Sequence, residues 1–261
     1  MFDSGFGGLT VARAVIDLLP HEEIVYLGDT GRYPYGPRPL HQVELFAHQI
    51  ADHLVNDLGA KLLIVACNTA AAAALGSLQE RFEVPVIGVI DPGVRAVLSA
   101  SANGHVCVIG TVGTINSGAY QAAMVQLAPE VRLTALACPG FVEFVERGET
   151  SSEQVHVLAE RLLAPALEAG VDSLLLGCTH YPYLARTIGD VMGRDVVLVS
   201  SADETAFEVR RILESSGTAR LPREVPPTPT FLTTGDVAWF TDLGSKLLGP
   251  ELATARRVDW A

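Results

Sequence analysis

One segment of the chain, residues 61–74 (KLLIVACNTAAAAA), places a strand, a cysteine and a helix in direct succession. The branched apolar run at residues 62–66 predicts a strand that is buried on both faces. The alanine run that begins at Ala70 favours a helix, for which Asn68 or Thr69 is the expected N-cap. The intervening thiol therefore lies beside the free N–H groups of a helix N-terminus, which bind anions and lower a thiol's pKa.

The pattern returns at residues 173–182 (SLLLGCTHYP), where a second predicted strand ends just before Cys178 and Thr179. Strands alternate with helices along the rest of the chain, which predicts parallel sheets covered by helices on both faces. The carboxyl ends of such strands share one edge, where α/β sheets bind ligands. We therefore expect an α/β protein with two similar doubly wound parallel-sheet domains that face each other across a cleft, with one thiol on each wall.

The expected domain limits follow from turn residues. Asp91-Pro92-Gly93 closes a predicted strand and is interpreted as a boundary, which gives a first domain at residues 1–92 and a second at 93–205. Residues 206–261 contain a Pro-rich linker at 218–229, and we expect this segment to return to the first domain. Pro165, inside a predicted helix, is expected to kink or divide that helix.

Composition limits the classes of function. The 261 residues are 49% hydrophobic, which supports a sizeable core, and the net charge of -12 argues against nucleic acid or an anionic membrane as partner. No apolar run is long enough to span a membrane, and the first residues lack the pattern of a signal peptide. We therefore expect a cytoplasmic protein that acts on a small molecule.

The four cysteines include no C-x-x-C pair, so a disulfide framework or a redox motif is not indicated. Cys107 and Cys138 are interpreted as small core hydrophobes. The spacing of Cys67, Cys178 and His180 matches no structural zinc motif, so we expect no metal.

Two further stretches place polar or aromatic groups after predicted strands. Residues 3–8 (DSGFGG) combine Asp3 and Ser4 with glycines that allow a tight turn and close approach to a ligand, although simple helix capping explains them too. Residues 31–37 hold two tyrosines in a stiff loop of glycine and proline. This loop is interpreted either as a substrate wall or as an ordinary surface loop.

Two facing thiols suit one reaction in particular, in which a proton leaves one face of a carbon and another returns to the opposite face. The Cα proton of an amino acid is only weakly acidic, so such a site must stabilise carbanion character with hydrogen-bond donors and exclude water. Neither Lys61 nor Lys246 lies in a glycine-rich site of the kind that holds a pyridoxal cofactor, and we expect no cofactor.

Four motifs together resemble those of the cofactor-independent glutamate racemases, in the same order and over nearly the whole chain. They are Asp3-Ser4-Gly5-x-Gly7-Gly8, Pro34-Tyr35-Gly36, Ala66-Cys67-Asn68-Thr69-Ala70 and Gly177-Cys178-Thr179-His180-Tyr181-Pro182. The resemblance implies a homodimeric isomerase that interconverts L- and D-glutamate and supplies D-glutamate for peptidoglycan.

The resemblance also implies roles for individual residues. Cys67 would act on the D-enantiomer with Asp3 nearby, and Cys178 on the L-enantiomer with His180 nearby. Glu146 fits the acidic position of the family, whereas Glu143 stands where the family more often has an apolar residue or proline, and Asp29 would lie behind the site. The residues implied to hold substrate are Asp3, Ser4, Tyr35, Gly36, Asn68, Thr69, Thr111, Thr114, Thr179 and His180.

Two other functions stay open. A relative that acts on aspartate or another acidic amino acid would use the same thiol pair. A two-lobed protein that binds an amino acid without chemistry would use the same polar turns, but would have no need of a cysteine on both walls.

The start of the chain carries a separate expectation. Asp3 must reach the same edge as the cysteines and so should end a strand, yet only Met1 and Phe2 precede it. We expect the natural reading frame to begin upstream, and the 261-residue form to be less stable and less active than the longer one.

Overall fold

The computed structural model describes residues 1–260, whose strands form two parallel sheets. The strands are β1 (Phe2–Asp3), β2 (Val25–Gly28), β3 (Leu63–Val65), β4 (Val86–Gly88), β5 (His105–Gly110), β6 (Arg132–Ala137), β7 (Ser173–Leu176), β8 (Val197–Ser200), β9 (Thr230–Thr233) and β10 (Arg256–Arg257). The first sheet has the order β10-β9-β2-β1-β3-β4, and the second has the order β6-β5-β7-β8. The α/β prediction of two parallel sheets is confirmed.

Helices connect the strands and cover the sheets. They are α1 (Leu9–Leu18), α2 (Leu40–Asp52), α3 (Asn68–Arg81), α4 (Ile90–Ala100), α5 (Val112–Asn116), α6 (Ala119–Leu127), α7 (Phe141–Glu146), α8 (Glu153–Ala169), α9 (Ala185–Met192), α10 (Ala202–Ser215) and α11 (Val237–Leu248). A π-helical turn at His53–Asp57 extends α2, and a 3₁₀ turn at Tyr181–Leu184 precedes α9. Within residues 1–260, no helix has the length and apolar character needed to cross a membrane.

The short strand β1 lies inside the first sheet. Phe2 is in register with Leu27 of β2 on one side and with Val65 of β3 on the other. The amino group of Met1 is buried and donates a hydrogen bond to the Val25 carbonyl at 2.8 Å. Asp3 therefore lies at the C-terminal end of a strand, as expected, on the same edge as the residue that follows β3.

Strand β5 shows how the core divides into two layers. Val106 and Val108 pack in the apolar cluster that also contains the buried faces of α4 and α10. Cys107 and Ile109 point to the opposite face and pack with α8, because successive side chains of a strand alternate between faces. Cys107 is thus a core residue, as predicted.

Two local predictions were wrong, and a third was wrong in part. Asp91-Pro92-Gly93 lies within the first turns of α4, where a proline is tolerated because the first N–H groups of a helix have no intrahelical acceptor. Pro165 does not divide its helix, since α8 is continuous from Glu153 to Ala169, and the alternative expectation of a kink stays a prediction. The N-cap of α3 is Cys67 rather than Asn68 or Thr69. The division of the chain at residues 92 and 93 stays a prediction, although β9 and β10 pair within the first sheet.

Candidate active site

A cavity lies where the carboxyl ends of strands from both sheets meet. Ser4 follows β1, Cys67 follows β3, Thr111 follows β5 and Cys178 lies just beyond β7, and all four line this cavity. The two cysteines that sequence patterns singled out are therefore brought to a single site. The predicted residues that line it are Ser4, Tyr35, Gly36, Cys67, Asn68, Thr69, Thr111, Cys178, Thr179 and His180.

Cys67 is the N-cap of α3, and only 5% of it is exposed. Its Sγ lies 3.7 Å from Ser4 Oγ. Burial and the nearby Asp3 carboxylate raise the pKa of Cys67 to about 12, although hydrogen bonds from the Ala70 N–H and Ser4 favour the thiolate. The expectation that the helix N-terminus lowers this pKa was wrong, because desolvation and a like charge outweigh the N–H group. Cys67 is consequently a neutral thiol in the ligand-free protein.

Cys178 has a different environment. Its Sγ lies 4.0 Å from Nδ1 of His180, and Nε2 of His180 lies 3.5 Å from Oε1 of Glu146. Burial opposes a charge on His180, but the contacts with Cys178 and Glu146 prevail and raise the pKa of His180 to about 10. The imidazole is therefore protonated at neutral pH and places a positive charge beside Sγ of Cys178.

The side chain of Asp3 is fully buried. Its Oδ2 accepts a hydrogen bond from the Gly5 N–H at 2.9 Å, and its Oδ1 accepts one from Thr179 Oγ1 at 3.2 Å. The turn that follows is tight, since a Cβ on Gly7 would lie 2.3 Å from Thr179 Oγ1 and 2.5 Å from His180 Nδ1. Glycine at position 7 is thus required for this close approach of the two sheets' strand ends.

Three threonine hydroxyls form a triangle beside the cavity. Thr69 Oγ1 lies 3.0 Å from Thr111 Oγ1 and 3.1 Å from Thr114 Oγ1, and the last two are 3.0 Å apart. Thr69 belongs to α3, whereas Thr111 is the N-cap of α5 and Thr114 lies in its first turn. The triangle joins two helix N-termini, an arrangement suited to an anionic ligand.

The loop that contains Tyr35 and Gly36 closes one side of the cavity. The Tyr35 hydroxyl donates to the buried carboxylate of Asp29, which also accepts from Arg32 Nε at 2.7 Å. Gly36 contributes its carbonyl to the N–H of Gly113 at 2.9 Å. The Tyr35 hydroxyl is thus held by Asp29, and the backbone of the loop is tied to the first turn of α5.

Comparison with known proteins identifies the family of this chain. The family model described as Asp/Glu/hydantoin racemase matches residues 10–208. The chain belongs to the Asp/Glu/hydantoin racemase family. It is 52% identical over 252 residues to the glutamate racemase of Parafrankia sp., covering 97% of this chain and 91% of that protein. It is 50% identical over 258 residues to the glutamate racemase of Corynebacterium glutamicum, covering 98% and 94%.

Solved structures of racemases share the fold over nearly their whole length. A glutamate racemase isoform from Bacillus anthracis superposes with a TM-score of 0.92 at 40% identity, covering 100% of this chain and 96% of that one. The glutamate racemase from Francisella tularensis in complex with D-glutamate gives a TM-score of 0.91 at 33% identity, covering 99% and 96%. The aspartate racemase from Picrophilus torridus gives 0.57 at 18% identity, a likeness of fold alone.

This racemase cavity also contains residues that were not among the predicted site residues. Tyr33, Cys138, Val112 and Glu143 all line it. Cys138 comes after β6 as Cys67 comes after β3. This position after a predicted strand could have placed Cys138 at the carboxyl edge of its sheet. Glu143 is exposed at the cavity, whereas Glu146, one turn later in α7, contacts His180.

Proposed function

We propose that this protein interconverts L- and D-glutamate without a cofactor, by proton transfer between the substrate and two cysteines. The observation that carries the proposal is the presence of Cys67 and Cys178, which follow strands of different sheets, in the lining of one cavity. The high identity to glutamate racemases supports glutamate as the substrate, and the Francisella tularensis relative is in complex with D-glutamate.

The neutral form of the Cys67 thiol supports its role as the proton donor in the conversion of L-glutamate. In the conversion of L-glutamate, the Cys178 thiolate takes the α-proton and the electron pair stays on Cα. The neutral Cys67 thiol then gives its proton to the opposite face, which yields D-glutamate and leaves a Cys67 thiolate. In the conversion of D-glutamate each step runs in reverse. The assignment of Cys67 to the D-enantiomer rests on the resemblance of the motifs.

The remaining cavity groups hold the substrate and stabilise charge at Cα. We propose that Ser4, Asn68, Thr69 and Thr179 bind the amino and α-carboxylate groups, with Thr111 and Thr114 supporting Thr69. Asp3 assists near Cys67, and His180 and Glu146 assist near Cys178. The loop at Tyr35 and Gly36 receives the side-chain carboxylate through its backbone. Fixed donors of this kind lower the barrier because they are aligned before charge develops.

The cellular setting belongs to the same proposal. D-Glutamate formed by this enzyme would enter peptidoglycan synthesis, as the resemblance implies. All four cysteines are free thiols, which fits the reducing cytoplasm, where thiols stay reduced. We propose a homodimer in solution, and light scattering coupled to size exclusion tests it: twice the monomer mass supports the dimer, and the monomer mass contradicts it.

Chiral chromatography of a reaction with L-glutamate tests the function. Dialysed protein with no added cofactor should produce D-glutamate until the two enantiomers are equal. Cys67→Ser and Cys178→Ser should each lose at least about a hundredfold in this rate, because each removes one of the two proton carriers. Aspartate tested in parallel distinguishes the nearest alternative. No inversion of any acidic amino acid would instead favour a binding protein.

A further inference from the structure

Tyr120 connects the half of the molecule that carries Cys178 to the first turn of α3. It lies on α6, and its Oη donates a hydrogen bond to Asn68 Oδ1 at 2.6 Å. Both side chains are buried, with 1% of Tyr120 and 3% of Asn68 exposed. A hydrogen bond in such a dry setting holds both partners in one orientation.

The bond determines which end of the Asn68 amide faces the cavity. A side-chain amide has an oxygen acceptor on one side and N–H donors on the other. Because Tyr120 occupies Oδ1, the free end of the amide is Nδ2, which is buried and has no hydrogen-bond partner within residues 1–260. Asn68 also lines the cavity that contains both thiols. A buried donor without a partner is costly, so this amide is prepared for an acceptor that enters with the ligand.

The opposite amide orientation would leave Tyr120 unsatisfied. If Nδ2 faced Tyr120, the phenol oxygen would become the acceptor and its own proton would need another partner. Among the residues that the structure describes, Asn68 Oδ1 is the one acceptor that the phenol reaches. Burial raises the pKa of Tyr120 well above its ordinary value, so the phenol keeps its proton and acts as a donor.

We propose that Tyr120 is a positioning residue that fixes the Asn68 side-chain amide with its N–H donors toward the substrate's α-carboxylate. The inference rests on the proposed function, which supplies the amino acid substrate. It assigns Asn68 to the carboxylate rather than to the ammonium group, because an N–H donor attracts an anion. When the α-proton leaves, negative charge spreads into that carboxylate, so a fixed donor there stabilises the transition state more than the bound substrate.

Tyr120→Phe is the direct test, since it keeps the ring and removes the hydroxyl. The expected result is a loss of kcat/KM on the order of tenfold, carried more by kcat than by KM. Thr205→Val is the matched control, because it removes another buried hydroxyl, whose Oγ1 donates to the Ser201 carbonyl at 2.7 Å on α10. The control should lose thermal stability without losing kcat/KM. A Tyr120→Phe enzyme with wild-type kcat/KM would overturn the proposal.

Two variants of Asn68 separate positioning from a structural role. In an Asn68→Ala background, Tyr120→Phe should cause no further loss of kcat/KM, whereas multiplied losses would overturn the proposal. Asn68→Asp keeps an acceptor for Tyr120 but turns an oxygen toward the substrate, so its kcat/KM should fall below that of Asn68→Ala. Equal or higher activity of Asn68→Asp would also overturn it. If the wild-type enzyme is inactive on glutamate, the proposed function is wrong as well. If the wild type is active and these variants do not behave as expected, only the role proposed for Tyr120 is wrong.

Discussion

Thr179 Oγ1 donates a hydrogen bond to Asp3 Oδ1 at 3.2 Å, and this bond joins the C-terminal edges of the two parallel sheets. Thr179 comes directly after Cys178 in the chain, and Asp3 is the carboxylate that raises the pKa of Cys67 together with burial. The bond therefore couples the surroundings of one thiol to those of the other.

Asp3→Asn should lower the pKa of Cys67, because it removes a negative charge while nearly preserving the shape of the side chain. The measurement is the rate of Cys67 alkylation by iodoacetamide, followed by peptide mass spectrometry, at about pH 8, where the thiolate fraction limits the rate. We expect faster alkylation of Cys67 in Asp3→Asn than in the wild type. Cys107 is the internal control, since it lies buried in β5. An unchanged or slower rate at Cys67 would contradict the role given to Asp3.

Gly7→Ala should damage the site without a large effect on the fold. The added Cβ would stand 2.3 Å from Thr179 Oγ1 and 2.5 Å from His180 Nδ1, so both side chains must move. A displacement of this size in a catalytic site predicts a loss of kcat/KM of about a hundredfold. Gly76→Ala on α3 is the control, because no atom lies within 4 Å of its added Cβ. That variant should be more stable by about 1 kcal/mol, with unchanged kcat/KM, and a fully active Gly7→Ala enzyme would show that the close contact is unimportant.

Much of this site was predictable because parallel strands bring their carboxyl ends to one edge. A buried strand followed by cysteine and threonine occurs at Cys67 and again at Cys178. The parallel order of the strands then brings both cysteines to the carboxyl edges of their sheets. Local sequence could not predict the pKa of Cys67, which depends on burial and on Asp3, a residue far away in the chain. The same limit applies to Tyr35, because local sequence does not show that its hydroxyl donates a hydrogen bond to the buried carboxylate of Asp29.

The predicted start of α4 was wrong for a related reason. Asp91-Pro92-Gly93 has the composition of a turn, yet its residues form the start of α4. Proline lacks an N–H group, which costs nothing in the first turn of a helix. Val94 and Val97 then pack in the same apolar cluster as α10, so tertiary burial favours the helix over the local preference of glycine and proline for turns.

The pH dependence of racemisation should be bell-shaped, because catalysis needs one thiol deprotonated and the other protonated. At low pH both thiols are protonated and no base remains. On the alkaline side, activity should fall as His180 loses its proton near its pKa of about 10. Glu146→Gln removes an anion that favours the imidazolium, so the alkaline limb should move to lower pH. An alkaline limb that does not move would show that Glu146 has no influence on His180.

The most direct test of two thiols acting on opposite faces is the early phase of L-glutamate racemisation in heavy water. The thiol that protonates Cα exchanges with solvent, whereas the proton taken from the substrate stays on the other thiol. Mass spectrometry of the separated enantiomers at low conversion should find deuterium at Cα in nearly all the D-glutamate and protium in the remaining L-glutamate. Protium retained in the D-glutamate, or deuterium entering both enantiomers equally, would indicate a single base and contradict the account.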